Sequence, residues 1–312
     1  MKRLSTMLLA AALLAAPLAR AEETVRIGFQ KGGGLALMLK KQGTLERALG
    51  PGVTLKWIEF PAGPQMLEAL NAGSVDFGST GAPPPIFSQA AGADLVYVAA
   101  EPPPISGEAI IVKPGSPIRT VADLRGKKVA FQRGSGSHLL LVAALDKAGL
   151  GLRDVQPVHL GPSEARAAFE AGAIDAWVIW DPYLAAAQHV YRPRVIADRS
   201  GLLPAYGFYL ASRKLVQRSP ATLSAILAQF AAAGRWSNSH QKEMIALMAP
   251  QVGVPQDVIA TWLGRARAGA MPVTPEIARS QQQVADLLYR EKVIPRPVTI
   301  AGHVWTWKPA AN

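Results

Sequence analysis

Phe29-Gln30-Lys31-Gly32-Gly33-Gly34 returns 102 residues later as Phe131-Gln132-Arg133-Gly134-Ser135-Gly136. Each copy follows a short apolar run and precedes a Leu-rich stretch with helical spacing. A strand that gives way to a helix through a glycine-rich turn is the repeating unit of an α/β fold. A second echo accompanies the first. Gly63-Pro64, a helical stretch and Ala72-Gly73-Ser74-Val75-Asp76 match Gly161-Pro162, a helical stretch and Ala171-Gly172-Ala173-Ile174-Asp175. In both, the glycine supplies a left-handed helix end and the next apolar stretch reads as a strand. Two lobes of like topology around one cleft are the simplest explanation.

Working outward, strands are expected at Val25 to Phe29, Leu55 to Phe60, Leu95 to Ala99, Ala109 to Val112, Lys128 to Phe131, Ala176 to Ile179 and Phe208 to Ala211. The clearest helices are Ala221 to Gly234 and Pro275 to Arg290, the last closed by Ile294-Pro295-Arg296-Pro297 because a residue before proline leaves helical geometry.

The first 21 residues carry Lys2 and Arg3, an apolar run from Met7 to Ala16, and Ala19-Arg20-Ala21, the layout of a cleaved secretory leader. The run is well short of the ~20 residues that span a bilayer. With no cysteine, a lipid-anchored form, a disulfide, a thiolate metal site and a Cys nucleophile are excluded. The expectation is a free periplasmic monomer beginning at Glu22. Lys2, Arg3 and Arg20 go with the leader, leaving 30 basic residues against 22 acidic ones among 291, a length that exceeds one core. The positive charges are scattered without an aromatic-interleaved basic run, which disfavours nucleic acid and suits a small anion.

Glycine-rich turns that open a helix leave backbone N–H groups free at its positive end, where they hold oxyanions without a formal counter-charge. Gly32-Gly33-Gly34, Ser79-Thr80-Gly81 and Gly134-Ser135-Gly136-Ser137 have this character, and their hydroxyls add donors. Any one of these serines is by itself an ordinary helix cap; three turns at echoing positions point to an anion. Ligands of open α/β sheets sit beyond the carboxyl ends of the strands, which brings Trp180-Asp181-Pro182 to the same cleft. Trp180 is read as pocket lining, with Phe208 and Tyr209 as further aromatic candidates. Asp181 either accepts a ligand amine or caps the helix that Pro182 opens, and Pro at the first helical position favours the cap.

Catalytic signals are thin. His138, His159, His189, His240 and His303 are solitary, no Gly-x-Ser-x-Gly elbow surrounds the serines, and the Gly32 turn lacks the Gly-Lys-Ser/Thr of a nucleotide loop. No enzyme activity, metal or cofactor is expected.

The segments Ile27 to Gly32, Glu59 to Asn71, Gly78 to Gly81, Gln89 to Val98, Thr120 to Gln132 and Ala176 to Tyr183 closely resemble the aliphatic sulfonate-binding proteins of ABC importers, over nearly the whole chain after the leader. The resemblance implies a type II periplasmic binding protein fold: two lobes, each a mostly parallel sheet flanked by helices, joined by a two-strand hinge. Lobe one would comprise residues 22–111 and 206–312, and lobe two residues 112–205. It further implies a sulfonate held by Gln30, Lys31 and Gly32, by Ser79, Thr80 and Gly81, and by the turn Gly134, Ser135, Gly136, Ser137 and His138, with Trp180 near the tail and Asp181 beside it. ABC importer membrane subunits are the implied partners, in sulfur acquisition. Relatives often carry an acid directly after Ser-Thr-Gly where this chain has Ala82, which weakens the case for amine-bearing ligands such as taurine. A binding protein for taurine, nitrate or a thiamine-precursor pyrimidine, an enzyme on the same fold, and a sensory module that docks on a membrane receptor are the rival readings. Because a sulfonate does not titrate, binding is expected to be nearly independent of pH between about 5 and 8.

Overall fold

The computed structural model describes residues 23–30 and 33–309; the expected leader, Lys31 and Gly32 lie outside the described residues. The strands are β1 (Glu23–Gln30), β2 (Val53–Phe60), β3 (Phe77–Thr80), β4 (Leu95–Ala100), β5 (Glu108–Val112), β6 (Lys128–Phe131), β7 (Gln156–His159), β8 (Ala176–Trp180), β9 (Arg194–Asp198) and β10 (Phe208–Ser212). The helices are α1 (Gly34–Gln42), α2 (Thr44–Leu49), α3 (Gly63–Asn71), α4 (Pro83–Ala90), α5 (Gly136–Lys147), α6 (Pro162–Ala171), α7 (Tyr183–Tyr191), α8 (Arg213–Arg218), α9 (Pro220–Ser239), α10 (Gln241–Val252), α11 (Gln256–Arg265) and α12 (Pro275–Arg290).

Two five-stranded sheets result, in the orders β2-β1-β3-β10-β4 and β7-β6-β8-β5-β9. They are the same arrangement. β1 pairs in parallel with β2 and β3 as β6 does with β7 and β8, and β10 lies antiparallel to β3 and β4 as β5 does to β8 and β9. The reversed strands, β5 and β10, are those by which the chain arrives from the opposite lobe, through residues 101–107 and 199–207. Both sheets are therefore mostly parallel, as expected, with four strands running one way and a single strand, β10 or β5, reversed. β5 pairs along its whole length with β8, so the first crossing precedes Glu108 instead of following Ile111.

The echoes correspond to matching bonds. Asp76 accepts the N–H of Arg26 at 2.9 Å, and Asp175 accepts that of Lys128 at 2.8 Å, each tying the approach to β3 or β8 to its parallel neighbour. Gly73 and Gly172 take φ values of 74° and 72°, the left-handed turn that only glycine adopts without a steric cost.

Hydrophobic clusters fill both faces of both sheets. α5 belongs to lobe two, yet Leu139, Val142 and Ala143 pack in the lobe-one cluster beside Ile86 and Leu287. α9 runs five residues past Gly234, where the chain was expected to stop. A Cβ there would collide with the backbone of Gly269, so this glycine serves a close approach and not a helix end. β7 and β9, which the apolar pattern did not reveal, are the edge strands of the second sheet, and most of their side chains stay at least partly exposed. Pro157 in β7 is tolerated at such an edge.

Candidate functional site

A cavity of about 240 Å³ lies between the lobes, at the carboxyl ends of β1, β3 and β8. Gln30, Ser79, Thr80, Gly81, Ser135, Gly136, Trp180 and Asp181 line it. The sheet order brings four helix starts to this one place, those of α1 at Gly33, α3 at Gly63, α4 at Gly81 and α5 at Gly136. Each carries about half a positive charge and unpaired N–H groups, a setting that stabilises an anion.

In lobe one, Ser79 and Thr80 are the last two residues of β3, paired with Tyr209 and Phe208 of β10, not a free turn. Gln30 Nε2 donates to Ser79 O at 3.0 Å and locks the end of β1 to the end of β3. Thr80 is 4% exposed, and its hydroxyl presses against Gly63 so closely that a Cβ at Gly63 would overlap it. Pro83, Pro84 and Pro85 open α4. They remove three backbone donors from its first turn, which leaves Gly81, Ala82 and the Thr80 hydroxyl to serve a ligand there.

In lobe two the turn is closed on itself. Ser135 Oγ donates to Gln132 O at 2.7 Å, while Ser137 Oγ accepts the N–H of Gln132 at 3.3 Å and lies 2.8 Å from Ser135 Oγ. Since the Ser135 proton goes to Gln132 O, Ser137 is the donor within the serine pair, and both hydroxyl protons are used inside the turn. Ser137 is fully buried and, like Gly134 and His138, does not line the cavity. His138 packs between Phe87 and Phe131, and its Nδ1 accepts the N–H of Gly134 at 3.2 Å. Burial, with His159 and Arg133 nearby, pushes its pKa down to about 3, so the ring is neutral across the physiological range. Lobe two thus offers the cavity backbone N–H groups rather than serine protons.

Among the wall residues that sequence reasoning missed, Glu101, Glu108 and Trp262 bear most on the chemistry. The acids are the more consequential. Glu108 pairs with Arg199 at 3.0 Å and rests against the start of α5, where a Cβ at Gly136 would collide with its carboxylate. Asp181 Oδ1 accepts the N–H of Ala185 at 2.9 Å, the helix-capping role, and faces Arg265 of lobe one at 3.4 Å. Burial raises the Asp181 pKa to about 6 despite that guanidinium. Glu101 has no Arg or Lys within ion-pair distance among the described residues. Burial raises its pKa to about 7, opposed by a hydrogen bond with the Ser79 side chain. The cleft therefore does hold a group that titrates near neutrality, contrary to the expectation of pH independence. Glu101 stands before Pro102-Pro103-Pro104 at the exit of β4, and that proline run marks the crossing between lobes. Trp262 gave no local signal, because it reaches the cleft from a helix remote in sequence.

The family model described as NMT1/THI5 like matches residues 51–244. A curated relative from Escherichia coli (strain K12), named as an aliphatic sulfonates-binding protein, is 49% identical over 91% of this chain and 89% of its own length. The alkanesulfonate-binding protein SsuA from Xanthomonas axonopodis pv. citri, solved bound to MOPS, superposes with a TM-score of 0.86 at 40% identity, covering 90% of this chain and 98% of that one. The periplasmic aliphatic sulphonate binding protein SsuA from Escherichia coli gives a TM-score of 0.82 at 47% identity, covering 93% and 94%. These relatives are binding proteins, not enzymes. With the NMT1/THI5-like model matching more than half of its length and a curated relative at 49% identity across nine-tenths of it, this chain belongs to the aliphatic sulfonate-binding proteins of that family.

Proposed function

We propose that the chain captures alkane sulfonates in the interlobe cleft and delivers them to the membrane subunits of an ABC importer for sulfur acquisition. It would act as a periplasmic monomer, after removal of residues 1–21. The observation that carries this reading is the convergence of four helix starts and the Thr80 hydroxyl on one cavity. A sulfonate is a permanent anion with three acceptor oxygens and no proton to give, so neutral donors satisfy it without a counter-ion. Ser79, Thr80, Gly81 and Gly63 would hold the head from lobe one, and the N–H of Gly136 from lobe two, with Ser135 lining the wall beside it. By resemblance, Lys31 and Gly32 would also help to hold it, with Trp180 near the tail. MOPS, the ligand in the Xanthomonas relative, is itself a propanesulfonate.

Each hydrogen bond to a charged group contributes about 1.5–3 kcal/mol net. Three or four of them reach about −8 kcal/mol, micromolar affinity, once association costs are met. Closure of the lobes around the ligand supplies the shape that a transporter recognises.

Calorimetry on matched sulfonates and carboxylates of five, six and eight carbons, with sulfate, nitrate and taurine beside them, tests the reading. Sulfonates should bind more tightly than carboxylates of equal length, which have two oxygens for the same donors. Equal affinity for both heads, or preference for nitrate or taurine, would overturn it.

A further inference from the structure

Three ion pairs cross from one lobe to the other among the described residues: His189 with Asp257 at 2.9 Å, Arg290 with Asp146 at 3.0 Å, and Arg265 with Asp181 at 3.4 Å. The first two join exposed side chains away from the cleft, where water screens a pair and leaves it little strength. The third is different. Its side chains are 23% and 5% exposed, and Asp181 lines the interlobe cavity while Arg265 stands behind it.

Both partners are anchored in their own lobes. The carbonyl of Arg265, at the end of α11, accepts the N–H of Ile105 at 2.8 Å and so holds the first crossing against lobe one. Its guanidinium donates to Gln188 Oε1 of α7 at 2.5 Å and faces both carboxylate oxygens of Asp181 at 3.4 Å. Asp181 donates its own N–H to Gly107 O at 2.8 Å and accepts that of Ala185, which fixes it to lobe two. Only Ser106 lies between the two anchor points on the crossing, Ile105 and Gly107. The pair therefore spans the place where the chain passes from one lobe to the other.

A carboxylate in the wall of an anion site repels the anion, and more strongly in a cleft than in water. Here the repulsion is offset only while Arg265 lies against Asp181, and Arg265 belongs to the opposite lobe. Lobes that swing apart separate the pair. An anion then prefers the arrangement in which the lobes are joined, and a ligand shifts the population toward the arrangement that it prefers.

We propose, resting on the sulfonate reading, that Arg265 is a positioning residue for capture: without touching the ligand, it neutralises Asp181 across the lobes and so makes the ligand's negative charge the signal that favours closure. An uncharged molecule of the same shape gains nothing from the pair. Arg265 thus adds to the discrimination against neutral ligands as well as to the residence of the bound anion.

Titration calorimetry with butanesulfonate at pH 7.5, above the pKa of about 6 of Asp181, and small-angle scattering of the same ligand-free proteins decide this. Arg265→Gln keeps a donor for Gln188 and removes the charge. It should weaken butanesulfonate at least about tenfold, and its radius of gyration should exceed that of the unsubstituted protein. Arg265→Lys should retain most of the affinity. Asp181→Asn should bind at least as tightly as the unsubstituted protein, and its addition to Arg265→Gln should bring affinity back to within about threefold, because the repelling charge has gone. A role of Arg265 in packing alone would leave a loss that Asp181→Asn does not repair. That result, or affinity and scattering unchanged in Arg265→Gln, overturns the coupling and leaves the sulfonate reading standing. Failure of butanesulfonate to bind the unsubstituted protein overturns the sulfonate reading and the coupling with it.

Discussion

The β3–α4 junction of lobe one and the β6–α5 turn of lobe two occupy the same cleft and come from similar sequence, Ser-Thr-Gly in one and Ser-Gly-Ser in the other. They differ in where their protons go. In lobe one the Thr80 hydroxyl has no protein acceptor among the described residues and lines the cavity. In lobe two the serines satisfy each other and the backbone of Gln132, and Glu108 lies against the helix start. A hydroxyl-rich turn is thus a donor site only where its protons remain unspent. Lobe one is equipped to grip the head group, and lobe two to complete the enclosure with backbone N–H groups.

The sharpest way to break this contrast is to remove one hydroxyl from each side. Thr80→Ala should weaken sulfonate binding by about 1–3 kcal/mol with unfolding unchanged, since it deletes a donor to a charged group. Ser137→Ala should do the reverse: affinity within twofold, and a stability loss of about 1 kcal/mol in denaturant titration, because a buried N–H of Gln132 loses its acceptor. Loss of affinity in Ser137→Ala comparable to that in Thr80→Ala would mean that the lobe-two turn reopens when ligand arrives.

The acids sharpen the same comparison through pH. Glu108 and Asp181, on the lobe-two side, face Arg199 and Arg265, whereas lobe-one Glu101 faces no cation among the described residues. With its pKa raised to about 7, Glu101 is protonated and neutral at pH 6 and anionic at pH 8, where it repels a sulfonate. Affinity should therefore fall up to about tenfold from pH 6 to pH 8. Glu101→Gln should remove most of that fall, leaving the smaller part contributed by Asp181, whose pKa is raised to about 6 and whose charge is offset by Arg265. The folded-state pKa is above the unfolded one, so this residue also makes the unliganded protein more stable on the acid side, a contribution lost as pH rises toward 7. A flat affinity profile in the unsubstituted protein would show that a cation, Arg267 of a neighbouring hollow that Glu101 also lines being the described candidate, neutralises Glu101 in the complex.

The smallest expected effect is that of Ser135→Ala. Its hydroxyl proton goes to Gln132 O, so calorimetry should find sulfonate affinity within about twofold, although Ser135 lines the cavity as much as Thr80 does.

Much of this was legible before any coordinates. The two echoes located β1–α1 and β6–α5, the caps at Gly73 and Gly172, and the convergence of their loops, because those features are local: a glycine at a left-handed position, a proline at a helix start, an apolar run of strand length. Eight of the residues expected at the cleft line one cavity for the same reason, since within each sheet the parallel strands place their carboxyl ends on one side. The edge strands β7 and β9 were illegible because exposed strands lack an apolar signature, and Gly234 misled because nothing nearby in sequence announces the approach of Gly269.

By itself the sequence determined that this is a two-lobed α/β chain with donor-rich turns facing one another, and its motifs carried the family. Only the tertiary structure decided which donors are free and which acids are paired. Those are properties of residues far apart in the chain, as with Glu101 beside Ser79, Glu108 beside Arg199, and Asp181 beside Arg265. Whether a hydroxyl proton is spent or a carboxyl is neutral depends on the distance to a partner and the loss of water, neither of which has a period along the sequence.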